Sequence, residues 1–286
     1  MDVKDEVQVL GLIAVFAFFT TFDVLRRRFL PAAATADDNR LDFVVFLVFP
    51  TIIVPAIVQS CLWLGTHFFP QYHGALGDWP WWAKVITLIF ADDFTQYWWH
   101  RASHTTWMWP FHRAHHAGAY MGVRVVYRNN FFYYAAMPGL WLSGALIYLG
   151  FGWTYVIYSL VKMAVIVGAH SEARWDEPLY RNPKLHWLAW ILERTISTPC
   201  THYAHHALRQ DDGIGHYRGN FGNLLFVWDV LFGTALITRR YPPAFGLPDD
   251  RRLGSERWYV QYFYPLFRSR RAESVLSGRP VPAPVD

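Results

Sequence analysis

Cysteine is nearly absent from this 286-residue chain. Two thiols, Cys61 and Cys200, cannot build a zinc ribbon or an iron–sulfur cluster of the four-thiolate kind. Charge is also scarce: 17% of residues are Asp, Glu, Lys or Arg, against roughly 25% in soluble domains. The net charge of +4 comes without a dense basic stripe, which argues against nucleic acid as a partner. Several catalytic signatures are missing as well. There is no HExxH, no G-x-S-x-G, no Walker loop and no dinucleotide-binding glycine pattern. Zinc peptidase, serine hydrolase, nucleotide-hydrolase and nicotinamide chemistries lose their usual supports.

What is present is apolar and aromatic. Hydrophobic residues make up 53% of the chain and Trp occurs 15 times, a composition that suits a membrane protein with interfacial aromatics. Residues 5–25 form a first apolar run followed by Arg26-Arg27-Arg28. Acidic residues before the run and basic ones after it are wrong for a cleaved signal peptide. Residues 41–64 form a second run, with Pro50 and Pro55 expected to kink it. Further runs follow at 82–99, 131–149 and 153–169, and 185–196 reads as an amphipathic helix with Leu185, Leu188, Ala189 and Leu192 on one stripe. The expected fold is all-α: an integral-membrane bundle of about four to five membrane-embedded helices under a cytoplasmic helical cap. Its expected parts are N-terminal membrane helices (1–80), a catalytic unit (81–238) and a peripheral C-terminal tail (239–286).

Histidine carries the chemistry. Eight of the 13 histidines fall in three short boxes: His100 and His104; His112, His115 and His116; His202, His205 and His206. A ninth, His170, ends the fifth apolar run. Side chains three and four apart share a helix face, so each box aims its imidazoles at one region. Neutral imidazole is a common ligand for iron, zinc, copper and nickel. Nine such rings suit a dimetal centre with four or five nitrogens per ion. Parity supports one site. If Arg26–Arg28 mark the cytoplasmic side, counting spans returns every box to that side and leaves His67 and His73 opposite. Cys61 and Cys200 then lie on opposite sides, and no disulfide between them is expected. His186 and His216 lie on the site's side without box spacing. Asp93, seven residues before His100 on the same expected helix face, is a candidate to orient a ligand imidazole. Asp229, in an apolar stretch, is a second, and Glu172 is a weaker one. Arg101 and Arg113 adjoin ligands but point elsewhere, toward lipid phosphates or carboxylates. A membrane metal transporter is the rival reading from another class.

Four segments carry a resemblance. They are Asp93-Phe-Thr-Gln-Tyr-Trp-Trp-His100-Arg-Ala-Ser-His104, Trp109-Pro-Phe-His112-Arg-Ala-His115-His116, Thr198-Pro-Cys-Thr-His202-Tyr-Ala-His205-His206, and Asn220-Phe-Gly222 followed by Trp228-Asp229-Val-Leu-Phe-Gly-Thr234. In order and spacing they resemble the fatty acid hydroxylase/sterol desaturase superfamily over roughly residues 90 to 235. The resemblance implies a non-haem di-iron enzyme that uses O2 to oxidise a C–H bond of a lipid: a fatty acyl chain, sterol, terpenoid or ether lipid. It implies two iron ions held by the nine histidines, with zinc as a substitute in purified protein. Desaturation on the same site is the near alternative. His170-Ser171-Glu172 stands where members often have His-Ser-Asn and the ether-lipid monooxygenase branch has His-Thr-Glu. The basic residue often found at position 230 is Val here. No HPGG haem motif appears, so electrons are expected from an external donor, a reductase with ferredoxin or cytochrome. Arg greatly outnumbers Lys, which points to a bacterial inner membrane and its lipids as surroundings.

Overall fold

The computed structural model describes residues 3–279. Among these residues it is all-helical, with two isolated bridges and no sheet. Three helices are long and apolar enough to cross a membrane: Val3–Leu25, Ala36–Phe68 and Gly152–His170. The first has 23 residues, a length of about 35 Å at 1.5 Å per residue.

Two parallel helix pairs build the bundle. Val3–Leu25 runs beside Gly152–His170 in the same direction: Gln8 Nε2 donates to Ser159 Oγ at 3.1 Å, and Gly168 faces Phe19. Val54–Phe68, the second half of the long helix, runs beside Pro138–Tyr148. A Cβ on Gly144 would stand 2.8 Å from Cys61 Sγ, and one on Gly65 would stand 2.7 Å from the Tyr148 ring. Only a hydrogen at these positions permits so close an approach.

The helix boundaries differ from the apolar runs for local reasons. Ala36–Phe68 starts before its apolar stretch because Thr35 and Asp38 form a capping box. It continues through Pro50, which falls in a π-helical turn, Phe49–Ile53. The third run becomes one rod over residues 81–103, made of Trp81–Leu88, a π turn Ile89–Phe94 and Thr95–Ser103. That wide turn carries Asp92 and Asp93. Lys162 Nζ lies 2.6 Å from Asp92 Oδ2 and ties the rod to the Gly152–His170 helix.

The run at 131–149 does not make one span. It divides into Phe131–Ala135 and the 11-residue Pro138–Tyr148, because Pro138 lacks an amide hydrogen and holds Met137 extended. The expectation of four to five membrane-embedded helices therefore becomes three helices with the length and composition to cross. The 81–103 rod and the short Pro138–Tyr148 helix pack among them.

The two ends of the bundle have different contents. At one end, Gly74 N donates to Tyr148 O and Leu76 N to Leu149 O, which folds the 70–80 loop over the turn at Gly150. His67 stacks on Trp63 and His73 lies edge-on to Tyr148 there. At the other end, Asp23 accepts from Val123 N, Ser171 Oγ and Glu172 N. Those bonds gather the end of the first helix, the segment after the second histidine box and the end of the Gly152–His170 helix. The box histidines and Arg26–Arg28 share this end; the 81–103 rod, which is not among the three helices apolar and long enough to cross, carries the chain back to it from the Gly77/Gly150 end.

The tail from residue 239, expected to be peripheral, folds back over the same end. Trp258–Phe263 packs on the Ala36–Val48 and Trp109–His116 helices. Asn130 Nδ2 donates to the carbonyls of Gln261 and Tyr264, and Tyr262 is wholly buried. The aromatic content of Trp258–Phe263 outweighs the charges around it. The part of the tail beyond residue 279 lies outside the described residues.

Candidate metal centre

The two His-x-x-His-His boxes are built alike. Each sits on a short helix with proline in its first turn: Pro110 in Trp109–His116 and Pro199 in Pro199–His205. Proline suits that position because its missing amide hydrogen would have no partner there anyway. Thr198 caps the second helix by accepting from Thr201 N. Pro199 thus opens the helix that carries the last box.

All nine histidines converge, and they divide across the boxes. His100, His104, His112, His116 and His205 form one group, and His115, His170, His202 and His206 form the other. Within each group one nitrogen from every ring lies within 4.8 Å of the others. The first and last histidines of a box go to one group and the middle one to the other. Residues i and i+4 differ by about 40° around a helix, while i+3 and i+4 diverge by about 100°. Each His-x-x-His-His box therefore feeds both groups and holds them side by side, while His100 and His104 both serve the first.

The far nitrogens fix the rings. His100 Nδ1 donates to Phe221 O at 2.7 Å, His205 Nδ1 to Gly219 O at 2.7 Å and His115 Nδ1 to Arg128 O at 3.1 Å. His170 Nδ1 donates to Ile166 O at 2.8 Å and His112 Nδ1 to Asn129 Oδ1 at 3.0 Å. A carbonyl oxygen only accepts, so each of these Nδ1 atoms carries the hydrogen and each Nε2 is a bare lone pair.

Those lone pairs are the test of fit for metal. His100 Nε2, His104 Nε2 and His205 Nε2 are buried without a hydrogen-bond partner. His112 and His116 bring their Nε2 atoms within 3.3 Å, and His202 and His206 within 3.1 Å. Buried polar atoms without partners are costly, and a cation among them satisfies several at once. Electrostatics agrees. Burial, the largest cause, holds His104, His112, His115, His116, His202, His205 and His206 well below the usual 6.5, with neighbouring imidazoles pushing the same way for most of them. Neutral rings are the form that ligates metal.

Residues 85–234, more than half of the chain, match the family described as Fatty acid hydroxylase. The chain belongs to the fatty acid hydroxylase family. An alkylglycerol monooxygenase from Xenopus tropicalis is 28% identical over 160 residues. That likeness covers 54% of this chain and 30% of the relative, so the chain spans under a third of the protein it resembles. No solved structure matches the chain with significance.

In this fatty acid hydroxylase family chain the two singled-out aspartates do not touch an imidazole. Asp93 accepts from Leu224 N, Leu225 N and Trp228 Nε1, the last at 2.8 Å. Asp229 accepts from Phe221 N at 2.8 Å and Gly222 N at 2.6 Å, and from Thr234 Oγ1. Both carboxylates grip the 221–228 segment, and that segment's Phe221 carbonyl holds His100. They reach the ligands through the backbone. Burial, partly offset by these hydrogen bonds, raises the Asp229 carboxyl to about 6.

Groups that sequence reasoning missed take the orienting role. Asn129 and the carbonyls of Arg128 and Gly219 fall outside the four family-like segments, and Phe221 falls inside the last of them, where the motif does not mark its carbonyl. The Arg128 side chain is fully buried, donating to Ala114 O and pairing with Asp38 at 2.5 Å and Asp42 at 3.1 Å. It braces the segment whose carbonyl holds His115. His186 faces Tyr180 O instead, and His216 belongs to neither group. Glu172 pairs with Arg174, and Arg113 with Asp250. Cys61 and Cys200 are free and buried.

Proposed function

We propose that this protein is an integral-membrane di-iron monooxygenase that uses O2 to hydroxylate a C–H bond of a lipid. The observation that carries the reading is the division of nine imidazoles, all buried but the half-buried His104, into groups of five and four, with bare nitrogens facing inward. When bound there, two iron ions would supply the redox chemistry that couples O2 and two donated electrons to oxidation of the lipid. The first group, His100, His104, His112, His116 and His205, would hold one ion. His115, His170, His202 and His206 would hold the other. Zinc is expected to replace iron in overexpressed protein, because nitrogen sites bind it more tightly than ferrous iron.

The chain's own residues set the conditions. Trp109 lies against His104 and His116, and Tyr133 stacks on His112 at 5.0 Å. Phe221 lies against His100, His104 and His205. These rings exclude water and keep the imidazoles from turning. Five Nδ1–H donors, each tied to a fixed oxygen, hold the remaining nitrogens in place. The electron donor is external, a reductase with ferredoxin or cytochrome. Arg26–Arg28, at the same end as the histidines, support a site at the cytoplasmic face, and the arginine-rich composition favours a bacterial inner membrane.

The relative's name speaks of alkylglycerols, and His170-Ser171-Glu172 differs from the ether-lipid pattern by one residue. A glyceryl ether lipid is therefore the first substrate to test, ahead of fatty acyl, sterol and terpenoid lipids. The experiment compares lipid extracts from cells carrying the wild type and the His205→Ala variant. A lipid gaining one oxygen only with the wild type supports the reading. A product that only loses two hydrogens would make the protein a desaturase.

A further inference from the structure

A second concave site lies at the histidine end, outside the metal centre. It is a cavity of about 400 Å³, within the roughly 300–1,000 Å³ range of small-molecule pockets. Arg28, Arg174, Arg251 and Glu172 supply its charges, and Pro31 to Ala33 and Pro242 to Phe245 supply small and apolar walls. Glu172 pairs with Arg174 at 3.1 Å. Among the described residues Arg28 and Arg251 have no carboxylate partner, and the Arg251 guanidinium reaches only Phe245 O, at 3.3 Å. The wall therefore keeps an excess of positive charge in a concave place.

Arg174 is fixed rather than loose. Its backbone takes a φ of 45°, unusual for a residue with a side chain. Its guanidinium lies 4.5 Å over the Tyr241 ring and 5.7 Å from that of Tyr203. Its Nε is buried with no hydrogen-bond partner. A guanidinium held by aromatic faces with a donor unspent is prepared for an anion.

Position decides which anion. Arg28 stands just past the first helix, at whose end Leu25 is 74% exposed; Leu30, just beyond Arg28, is 75% exposed. Only 6% of that helix's apolar window is buried. The rim of the cavity thus joins a surface built to face hydrocarbon, at the level where lipid headgroups lie. We propose that the Arg28/Arg174/Arg251 cavity binds the phosphate headgroup of an anionic membrane lipid, whose chains lie along the first helix. Tyr203, under the Arg174 guanidinium, donates to His170 O at 3.2 Å, so the bound headgroup sits one side chain away from a candidate metal ligand. The inference does not depend on the proposed reaction. It needs only a membrane around the first helix.

Native mass spectrometry of the full chain, with dioleoyl phosphatidylglycerol and dioleoyl phosphatidylcholine as probes, tests it. The wild type is expected to retain the phosphatidylglycerol preferentially. The Arg28→Ala/Arg251→Ala variant is expected to lose roughly tenfold or more of that affinity, with unchanged metal content and elution. Arg270→Ala, an exposed arginine elsewhere, should keep it. Should the double variant fail to fold, Arg251→Ala alone carries the test, since its guanidinium touches only a carbonyl. Equal retention of the two lipids, or an equal loss in Arg270→Ala, overturns the proposal. Displacement by inorganic phosphate, but not by chloride at matched ionic strength, would assign the cavity to a free anion and overturn the lipid. Unchanged lipid retention in the double variant, with loss only of electron delivery from a donor protein, would make it a protein dock and overturn it as well.

Discussion

Phe221 accepts the Nδ1–H of His100 on its carbonyl across 2.7 Å, while its amide donates to Asp229 across 2.8 Å. The next amide, Gly222 N, also donates to Asp229, at 2.6 Å, so the 221–222 peptide unit links a buried carboxylate to a candidate ligand. The arrangement makes Asp229 a positioning residue that fixes a ring it never touches.

Asp229→Asn is therefore expected to weaken the site without emptying it. An amide cannot accept from both Phe221 N and Gly222 N as a carboxylate does, so the 221–222 turn loosens. Loss of support behind a ligand typically costs about 10–100-fold in metal affinity or activity. Iron per chain and turnover, measured together, should show partial metal and slowed reaction. Asp93→Asn should follow the same direction more weakly, because its partners are Leu224, Leu225 and Trp228. Wild-type metal affinity and turnover in Asp229→Asn would remove the linkage.

Ligand variants should behave differently. His115→Ala and His205→Ala each remove the histidine that crosses from its box to the other group. Each is expected to abolish turnover and to lower metal content. His67→Ala, at the opposite end of the bundle, should do neither. Elemental analysis of chromatographically intact protein decides this, and metal loss in His67→Ala would break the one-ended site.

Much of this was legible in the sequence for a physical reason. Helical periodicity fixes which residues share a face, so the boxes by themselves imply convergence. Counting five spans also puts them at one end, but only three helices have the length and composition to cross, and the 81–103 rod makes the return that the count assigns to a full span. The partition into five and four was not legible, since it depends on how the two short helices turn toward each other. Nor were the orienting groups, which are mostly backbone carbonyls of Arg128, Gly219 and Phe221. A carbonyl looks the same under every side chain. Asp93 was misplaced in role because only the fold shows that its carboxylate meets the 224–228 segment instead of an imidazole. The run at 131–149 looked long enough to span, and Pro138 divided it.

Arg128 offers a test of the frame beside the site. Its guanidinium is wholly buried between Asp38, Asp42, Tyr120 and Ala114 O. Arg128→Met leaves Asp38 buried without its cation and leaves Asp42 with Arg124 alone. Breaking such a pair costs roughly 3–5 kcal/mol, so thermal denaturation in detergent should shift far downward. The His115 site should lose metal with it, because the Arg128 carbonyl holds that ring. A stability equal to wild type would mean that water replaces the cation.

Acid should destabilise the metal-free protein. Burial lowers the folded-state pKa of His104, His112, His115, His116, His202, His205 and His206 below the usual 6.5. The unfolded chain then binds more protons than the folded one below that value, and stability rises with pH there. Their contribution is complete above about 6.5 and is lost as pH falls toward the folded values. Asp229, whose carboxyl burial raises to about 6, acts the other way, as do Asp176 and Asp250, also raised by burial, but the seven imidazoles outnumber them. Melting curves of chelator-treated protein should therefore fall steadily on acidification. A melting temperature that holds or climbs would contradict the buried, neutral state of the cluster.

The central claim is that the paired histidine groups support insertion of oxygen from O2 into a lipid. Cells carrying the wild type or His205→Ala are supplied with isotopically labelled O2, and their lipids are analysed by mass spectrometry. One labelled oxygen atom is expected in a lipid product, present with the wild type and absent with the variant. A wild-type product that carries no label, or that has lost two hydrogens and gained no oxygen, would contradict that claim.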